Sequence, residues 1–177
     1  MSGRADFWHI PRLVSQFPYA RYNASACFWG EAMPEIVIAD DDSGFLEVLS
    51  AFSERAGWSV KTCLNGGDIL AAVSEGRSPV LVLIDINMPV MDGIAAIEEI
   101  ILVKRPMRLR FMSGGADAPM LAAKMIAQAR DLPVGNSIYK PVEREKYVAM
   151  LGEEAILLDA MSVTRNGWAE GGGDSGA

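Results

Sequence analysis

Four short apolar segments of this chain each end in polar residues, and this repeated pattern limits the possible folds more than any other feature. The segments are Ile36–Asp42, Val80–Asp85, Leu109–Ser113 and Ser137–Pro141. Short apolar runs rich in β-branched residues, separated by helical patterns, are typical of buried strands in a parallel sheet. Because ligands of such sheets bind outside the carboxyl ends of the strands, we expect the polar residues to meet at a single edge.

The spacing of apolar residues predicts an α/β domain. It predicts the strands Ile36–Ala39, Ser59–Cys63, Val80–Ile84, Met107–Met112 and Ser137–Tyr139. Each strand is followed by a segment with the apolar spacing of an amphipathic helix. Five β-α units in about 120 residues are typical of a doubly wound parallel sheet with helices on both faces.

The two ends of the chain differ from this regular part. Residues 1–33 contain many aromatic residues without helical or alternating periodicity. We interpret them as an extension that is disordered or that lies upstream of a natural start at Met33, with a docking arm as the alternative. The domain is predicted over residues 34–152. Residues 153–177 are predicted to extend the last helix and to end in a disordered, Gly-rich acidic tail, without room for a DNA-reading or catalytic output module.

Composition excludes several classes of function. The 177 residues include 16 Lys and Arg against 23 Asp and Glu, a net charge of −7, so nucleic-acid binding is not expected. A single histidine, His9, excludes a multi-histidine metal site, and two cysteines are too few for a disulfide framework. The chain has no apolar run of membrane-spanning length and no secretory signal, and the predicted location is therefore cytoplasmic.

The polar residues at the strand ends suit phosphoryl chemistry. An aspartate can attack a phosphoryl group and form an acyl phosphate, and Mg²⁺ held by oxygen ligands neutralises the charge of the transferring group. Asp40, Asp41 and Asp85 are predicted to form such a cation pocket. Lys140 is suited to pair with the phosphoryl group or a carboxylate, and the Ser113 hydroxyl can donate to a phosphoryl oxygen.

From Ile36 to about Gly152 the chain resembles the receiver domain of two-component response regulators. The resemblance rests on four motifs in the expected order, which are Asp40–Asp41, Asp85–Gly93, Ser113 and Lys140–Pro141. It implies a flavodoxin-like, five-stranded parallel sheet of strand order 2-1-3-4-5.

The resemblance also implies a role for each site residue. Asp85 matches the phospho-acceptor, and Asp41 and Asp85 match direct Mg²⁺ ligands. Asp40 matches an acidic partner that acts largely through water, and the backbone carbonyl of Asn87 matches a third ligand. The switch hydroxyl and the phosphate-binding lysine are matched by Ser113 and Lys140. The residues predicted to shape the surrounding loops are Pro89, Gly93 and Pro141.

One position departs from the family pattern at a place that matters for signalling. Three residues before Lys140 the family often has an aromatic switch residue, and here that position is Ser137. We therefore expect the signal to leave through the loop after Ser113, where Gly114 and Gly115 permit backbone conformations closed to other residues.

The function implied by the resemblance is a phosphorelay switch. A histidine kinase or phosphotransfer protein would donate the phosphoryl group, and a surface on strand four, helix four and strand five would contact an unknown downstream protein. A weak homodimer stays open, and neither nucleic acid nor membrane is an expected partner.

Two alternative functions stay open. One is a receiver-like scaffold that works without phosphorylation. The other is a phosphatase of the haloacid dehalogenase type, which needs a second carboxylic acid two residues after the nucleophile. This chain has Asn87 there, which cannot donate a proton in that role. We therefore predict a switch protein rather than an enzyme.

Overall fold

The computed structural model describes residues 33–88, 93–115 and 117–166. Within them, strands and helices alternate along the chain. The strands are β1 (Glu35–Ala39), β2 (Ser59–Cys63), β3 (Val80–Asp85), β4 (Met107–Ser113) and β5 (Ile138–Tyr139). The helices are α1 (Ser43–Arg55), α2 (Gly67–Ser74), α3 (Gly93–Ile100), α4 (Asp117–Ala129) and α5 (Arg144–Asn166).

The strands form one parallel sheet in the order β2-β1-β3-β4-β5. The predicted doubly wound, flavodoxin-like fold and its strand order are therefore confirmed. All six residues of β3 are buried, as expected for a central strand covered by helices on both faces. The carboxyl ends of β1, β3, β4 and β5 thus lie side by side.

Helices cover both faces of the sheet. On one face, α2, α3 and α4 pack in succession over strand residues that include Val82, Ile84 and Phe111. Alternate strand residues such as Ile38 and Leu83 are fully buried on the other face, where α1 packs against α5. Burying an aliphatic side chain of this kind contributes roughly 1.5–3 kcal/mol, so these two layers supply most of the driving force for folding.

The edge strand β5 is shorter than predicted. It comprises only Ile138 and Tyr139, which pair with Met112 and Ser113, whereas the predicted strand began at Ser137. The preceding loop touches β4 through a single bridge between Leu109 and Val134. An edge strand has a ladder on one side only, so the apolar pattern alone sets its ends weakly.

Helix α1 begins directly after the acidic residues that follow β1. Asp42 is its N-cap, and the Asp42 Oδ1 atom accepts a hydrogen bond of 3.1 Å from the Phe45 backbone N–H. This arrangement satisfies one of the free N–H groups of the first turn. The helix ends before Gly57, whose φ of 87° is the left-handed conformation that favours glycine.

The terminal segments are outside or at the border of the described residues. Helix α5 runs without interruption to Asn166. The predictions for residues 1–32 and for the Gly-rich tail fall outside the described residues and stay predictions.

Cys63 is buried and free of any disulfide, and burial raises its pKa to about 11. Among the described residues, no helix is both long and apolar enough to cross a membrane.

A cluster of ion pairs lies at the amino-terminal side of the sheet. The buried Arg105 donates to the carbonyls of Val73 and Glu75, at 3.2 and 2.7 Å, and thereby caps the end of α2. Its Nη2 atom lies 3.0 Å from Glu35 Oε2, and Lys61 Nζ lies 3.0 Å from Glu35 Oε1. Although burial alone would raise the pKa of Glu35, hydrogen bonds from Arg105 and Lys61 lower it below its ordinary value.

A second ion cluster fixes α5 to β4. Glu154 of α5 is fully buried, and its carboxylate pairs with Arg108 and, at 2.6 Å, with Arg110 Nε. Gly135 provides the room, because a Cβ at that position would lie 2.7 Å from Arg110 Nε and 2.8 Å from Glu154 Oε1. The last helix therefore depends on a buried charge pair as well as on apolar packing.

We predict that Glu154→Ala lowers the free energy of unfolding by roughly 3–5 kcal/mol, because it removes the buried counter-ion that two poorly hydrated arginines share. Glu153→Ala is the matched control. Glu153 is 71% exposed and lies 3.7 Å from Arg110, so its loss should change stability by about 0.5 kcal/mol or less. Urea denaturation of both variants measures the difference, and equal effects would show that the buried pair does not hold α5.

Candidate functional site

The polar residues singled out from the sequence lie at the carboxyl edge of the sheet. Asp40 follows the last residue of β1, Asp85 is the last residue of β3, and Ser113 is the last residue of β4. Lys140 directly follows β5. The parallel register brings the ends of these strands together, as the sequence predicted.

Three carboxylates form an acidic cluster at this edge. One carboxylate oxygen from each of Asp40, Asp41 and Asp85 lies within 4.8 Å of the other two. Asp40 and Asp85 are buried, whereas Asp41 is exposed. Three oxygen ligands on one side, with an approach from solvent at Asp41, suit a hard divalent cation that keeps part of its water shell.

The ammonium group of Lys140 lies between two of these carboxylates. Its Nζ atom donates a hydrogen bond of 2.8 Å to Asp85 Oδ2. It also lies 2.6 Å from Asp40 Oδ2. The second contact is an ion pair by distance but is not aligned as a hydrogen bond, and among the described residues Asp40 Oδ2 has no aligned donor. One cation is thus shared by two buried carboxylates.

Backbone amides fix the other oxygens of both carboxylates. Asp40 Oδ1 accepts a hydrogen bond of 3.1 Å from the Asp42 N–H. In the same way, Asp85 Oδ1 accepts one of 3.3 Å from the Asn87 N–H. In each aspartate, one oxygen is therefore held by the loop two residues further on, and the other contacts Lys140.

Burial and like charge leave the acidic cluster incompletely neutralised. Burial raises the pKa of Asp40 above its ordinary value of 3.8, and the close contact with the charged Lys140 offsets this only in part. For Lys140, burial alone would lower the pKa, but Asp40 and Asp85 together raise it. The lysine is therefore charged at neutral pH, and the cluster retains a surplus of negative charge.

Ser113 joins the site through the neighbouring strand. Its residue is fully buried, and it follows Met112, the register partner of Asp85. The Ser113 Oγ atom accepts a hydrogen bond of 3.3 Å from the Gly115 N–H, and the Ser113 carbonyl accepts one of 2.9 Å from the Lys140 N–H. The hydroxyl proton of Ser113 is therefore not used in the contact with Gly115.

The loop after Ser113 places no steric demand on Gly114 and Gly115 in this conformation. Neither has a positive φ, and a Cβ at either position would meet nothing within 4 Å. The expectation that the signal leaves through a displacement of this loop stays a prediction.

The remaining predicted residues are only partly described. Asn87 is exposed and lies two residues after Asp85. Gly93 is the first residue of α3, and Pro89 is outside the described residues. Pro141 follows Lys140 through a cis peptide bond. The loop-shaping roles stay predictions.

Phe45 belongs to this site although its sequence pattern did not indicate it. Its ring centroid lies 4.6 Å from Lys140 Nζ. In the sequence, Phe45 has the spacing of a core-facing residue of α1, like Leu46 and Leu49, and a helical period does not separate a site residue from a core residue at the first turn. The N-cap Asp42, directly after the acidic pair, is the signal that places this turn at the site.

Comparisons with known proteins agree with this geometry. Residues 36–152 match the response regulator receiver domain family. The tetrathionate response regulatory protein TtrR of Salmonella typhimurium is 30% identical over 133 residues, which are 75% of this chain and 61% of that protein. The transcriptional regulatory protein PrrA of Mycobacterium bovis is 37% identical over 68 residues, 38% of this chain and 29% of that protein. The chain thus spans less than two thirds of these curated relatives.

Solved structures show the same fold. The crystal structure of a CheY-like response regulator receiver domain protein from Methanospirillum hungatei has a TM-score of 0.63 and 22% identity, covering 73% of this chain and 99% of that one. A response regulator from Colwellia psychrerythraea has a TM-score of 0.58 and 23% identity, with the same coverage of both chains.

We predict that Asp40→Asn raises the melting temperature at neutral pH without metal. The raised pKa means that the ionised carboxylate is unfavourable in the folded state, and asparagine removes that charge. Ionised Asp40 destabilises wild type at pH values above its pKa in the folded protein. This destabilisation disappears as pH falls toward 3.8, so the melting temperatures of wild type and variant should converge in acid. Thermal unfolding with chelator across this pH range measures it. A variant less stable at neutral pH would identify the Lys140 pair as the dominant effect.

Proposed function

Because the chain belongs to the response regulator receiver domain family, we propose that it is a phosphorelay switch in which Asp85 accepts a phosphoryl group. The observation that carries the proposal is the shared ammonium group of Lys140, which contacts both Asp85 Oδ2 and Asp40 Oδ2. A cation in this place can move from the carboxylates to a phosphoryl group formed on Asp85.

The proposed cofactor is Mg²⁺. Asp41 and Asp85 would bind it directly, Asp40 largely through water, and the backbone carbonyl of Asn87 would complete the protein ligands. The fit is supported by three carboxylate oxygens within 4.8 Å and by the incomplete neutralisation of Asp40. When bound, Mg²⁺ supplies charge neutralisation for the transferring phosphoryl group.

The residues of this chain divide the transfer among them. A carboxylate oxygen of Asp85 attacks phosphorus, the bond from phosphorus to the donor's imidazole nitrogen breaks, and that nitrogen keeps the electron pair. The new acyl phosphate carries its charge on oxygens within reach of the Lys140 ammonium group. The Ser113 hydroxyl, at the end of the adjacent strand, is suited to donate a hydrogen bond to one of them.

The proposed partners are proteins on both sides of the switch. A histidine kinase or phosphotransfer protein would donate the phosphoryl group in the cytoplasm. The output would be a surface on β4, α4 and β5 that contacts a downstream protein. Exposed apolar side chains on α4 and β5 support such a surface, namely Leu121, Met125 and Tyr139. The same surface leaves a weak homodimer open.

A switch is favoured over a phosphatase by the residue two positions after Asp85. A phosphatase of the haloacid dehalogenase type needs a carboxylic acid there, and the exposed Asn87 amide cannot protonate a leaving group. The chain's own turnover would then be limited to hydrolysis of its acyl phosphate.

We predict that the protein with Mg²⁺ and acetyl phosphate forms one hydroxylamine-labile adduct at Asp85. Asp85→Asn should abolish the adduct and keep the fold, because the side chain keeps its size and loses only its nucleophilic charge. Intact-protein mass spectrometry measures the adduct, and circular dichroism measures the fold. If wild type forms no adduct but binds a partner as tightly as Asp85→Asn does, the chain is a phosphorylation-independent scaffold instead.

We predict that Asp41→Asn weakens Mg²⁺ binding by tenfold or more, about 1.4 kcal/mol, because a direct ligand loses its charge. Asp42→Asn is the matched control, since it removes the same charge one residue away and asparagine still caps α1. The Mg²⁺ affinity of Asp42→Asn should fall by roughly threefold at most, because only long-range electrostatic attraction is lost. Isothermal titration calorimetry compares the two, and equal losses would mean that Asp41 acts only through its charge.

A further inference from the structure

The ring of Phe45 is the third group that contacts the Lys140 ammonium group, after the carboxylates of Asp40 and Asp85. The distance from Nζ to the ring centroid is 4.6 Å, and the two carboxylate contacts of the same atom are 2.6 and 2.8 Å. A cation within about 6 Å of an aromatic centroid is attracted by the negative face of the ring. The ammonium group thus contacts two charged carboxylates and the electron-rich face of one uncharged ring.

The position of Phe45 follows from the start of α1. The cap at Asp42 fixes the first turn, and the Phe45 N–H is the group that donates to it, at 3.1 Å. The next residue, Leu46, is buried in the core, whereas Phe45 is only half-buried. The ring is therefore held at the site by the backbone of the helix, and it is not fully used by the core.

We propose that Phe45 is a positioning residue that holds the Lys140 ammonium group beside Asp85 for pairing with the incoming phosphoryl group. The inference rests on the proposed function. A lysine side chain has a long flexible stem, and fixing it costs rotamer entropy. The ring restricts Nζ without adding charge, so it does not repel a phosphoryl group as a third carboxylate would. It also accepts no strong hydrogen bond, and the lysine N–H groups stay directed at oxygens.

The contact itself can be tested in the full chain without phosphorylation. A ring face near Nζ shifts the Lys140 Hε resonances upfield through its ring current. We expect this shift in wild type and in Phe45→Tyr, and its loss in Phe45→Leu. The matched control is Phe52→Leu, because Phe52 lies two turns further along α1 and its ring contacts a different cation, Arg144, at 5.8 Å. That variant should leave the Lys140 resonances unchanged.

The consequence for phosphoryl acceptance is tested with acetyl phosphate at saturating Mg²⁺. Phe45→Leu should lower the maximal rate of adduct formation at Asp85 by roughly three- to tenfold, the size expected for losing a partly desolvated cation–π contact. The Mg²⁺ concentration for half-maximal rate should not change, since Phe45 is not a ligand. Phe45→Tyr should restore the rate, and Phe52→Leu should match wild type.

Pentafluorophenylalanine at position 45 separates the electrostatic effect from packing. It keeps the shape of the ring and reverses its quadrupole, so it should lower the maximal rate as leucine does, and it covers the case in which Phe45→Leu does not fold. A wild-type rate in either variant, or an upfield shift that survives Phe45→Leu, would overturn the inference. If wild type takes no phosphoryl group, the proposed function fails, and a shift lost only in Phe45→Leu still establishes the contact.

Discussion

The ammonium group shared between Asp40 and Asp85 is the interaction on which the rest of the site depends. Two buried carboxylates at adjacent strand ends repel each other, and in a poorly hydrated pocket one of them would take up a proton without a counter-charge. Lys140 supplies that charge from a third strand end, at 2.6 and 2.8 Å. One cation for two buried anions lowers their mutual repulsion, and it leaves a surplus of negative charge that suits a divalent cation.

The two ends of the sheet handle buried charge in opposite ways. At the amino-terminal side, Glu35 contacts two cations, Arg105 and Lys61, and its pKa is lowered despite burial. At the carboxyl side, Asp40 shares a single cation with Asp85, and burial raises its pKa. The first arrangement is complete and adds stability. The second arrangement neutralises the carboxylates incompletely. A buried carboxylate whose ionised form is destabilised in this way is typical of a functional site.

Much of this arrangement could be predicted from sequence, because it depends on strand ends. Apolar runs locate the strands, and parallel topology then forces Asp40, Asp85 and Lys140 to one edge. Contacts that depend on the rotation of a helix about its axis were not predictable. The ring of Phe45 at Lys140 and the pairing of Glu154 with two β4 arginines each depend on how a helix is rotated about its axis, which periodicity defines only to within a face. The strand β5 was predicted one residue too long, because an edge strand leaves little imprint on the apolar pattern.

The shortness of β5 affects how added charge at Asp85 would change the positions of other residues. The strand pairs with β4 at only two positions, and the Lys140 N–H then donates to the Ser113 carbonyl at 2.9 Å. Lys140 therefore connects to Asp85 through its side chain and to Ser113 through its backbone. With few ladder hydrogen bonds to resist movement, a shift of the ammonium group toward a phosphoryl group in the proposed transfer would act on the end of β5 and on Ser113 together.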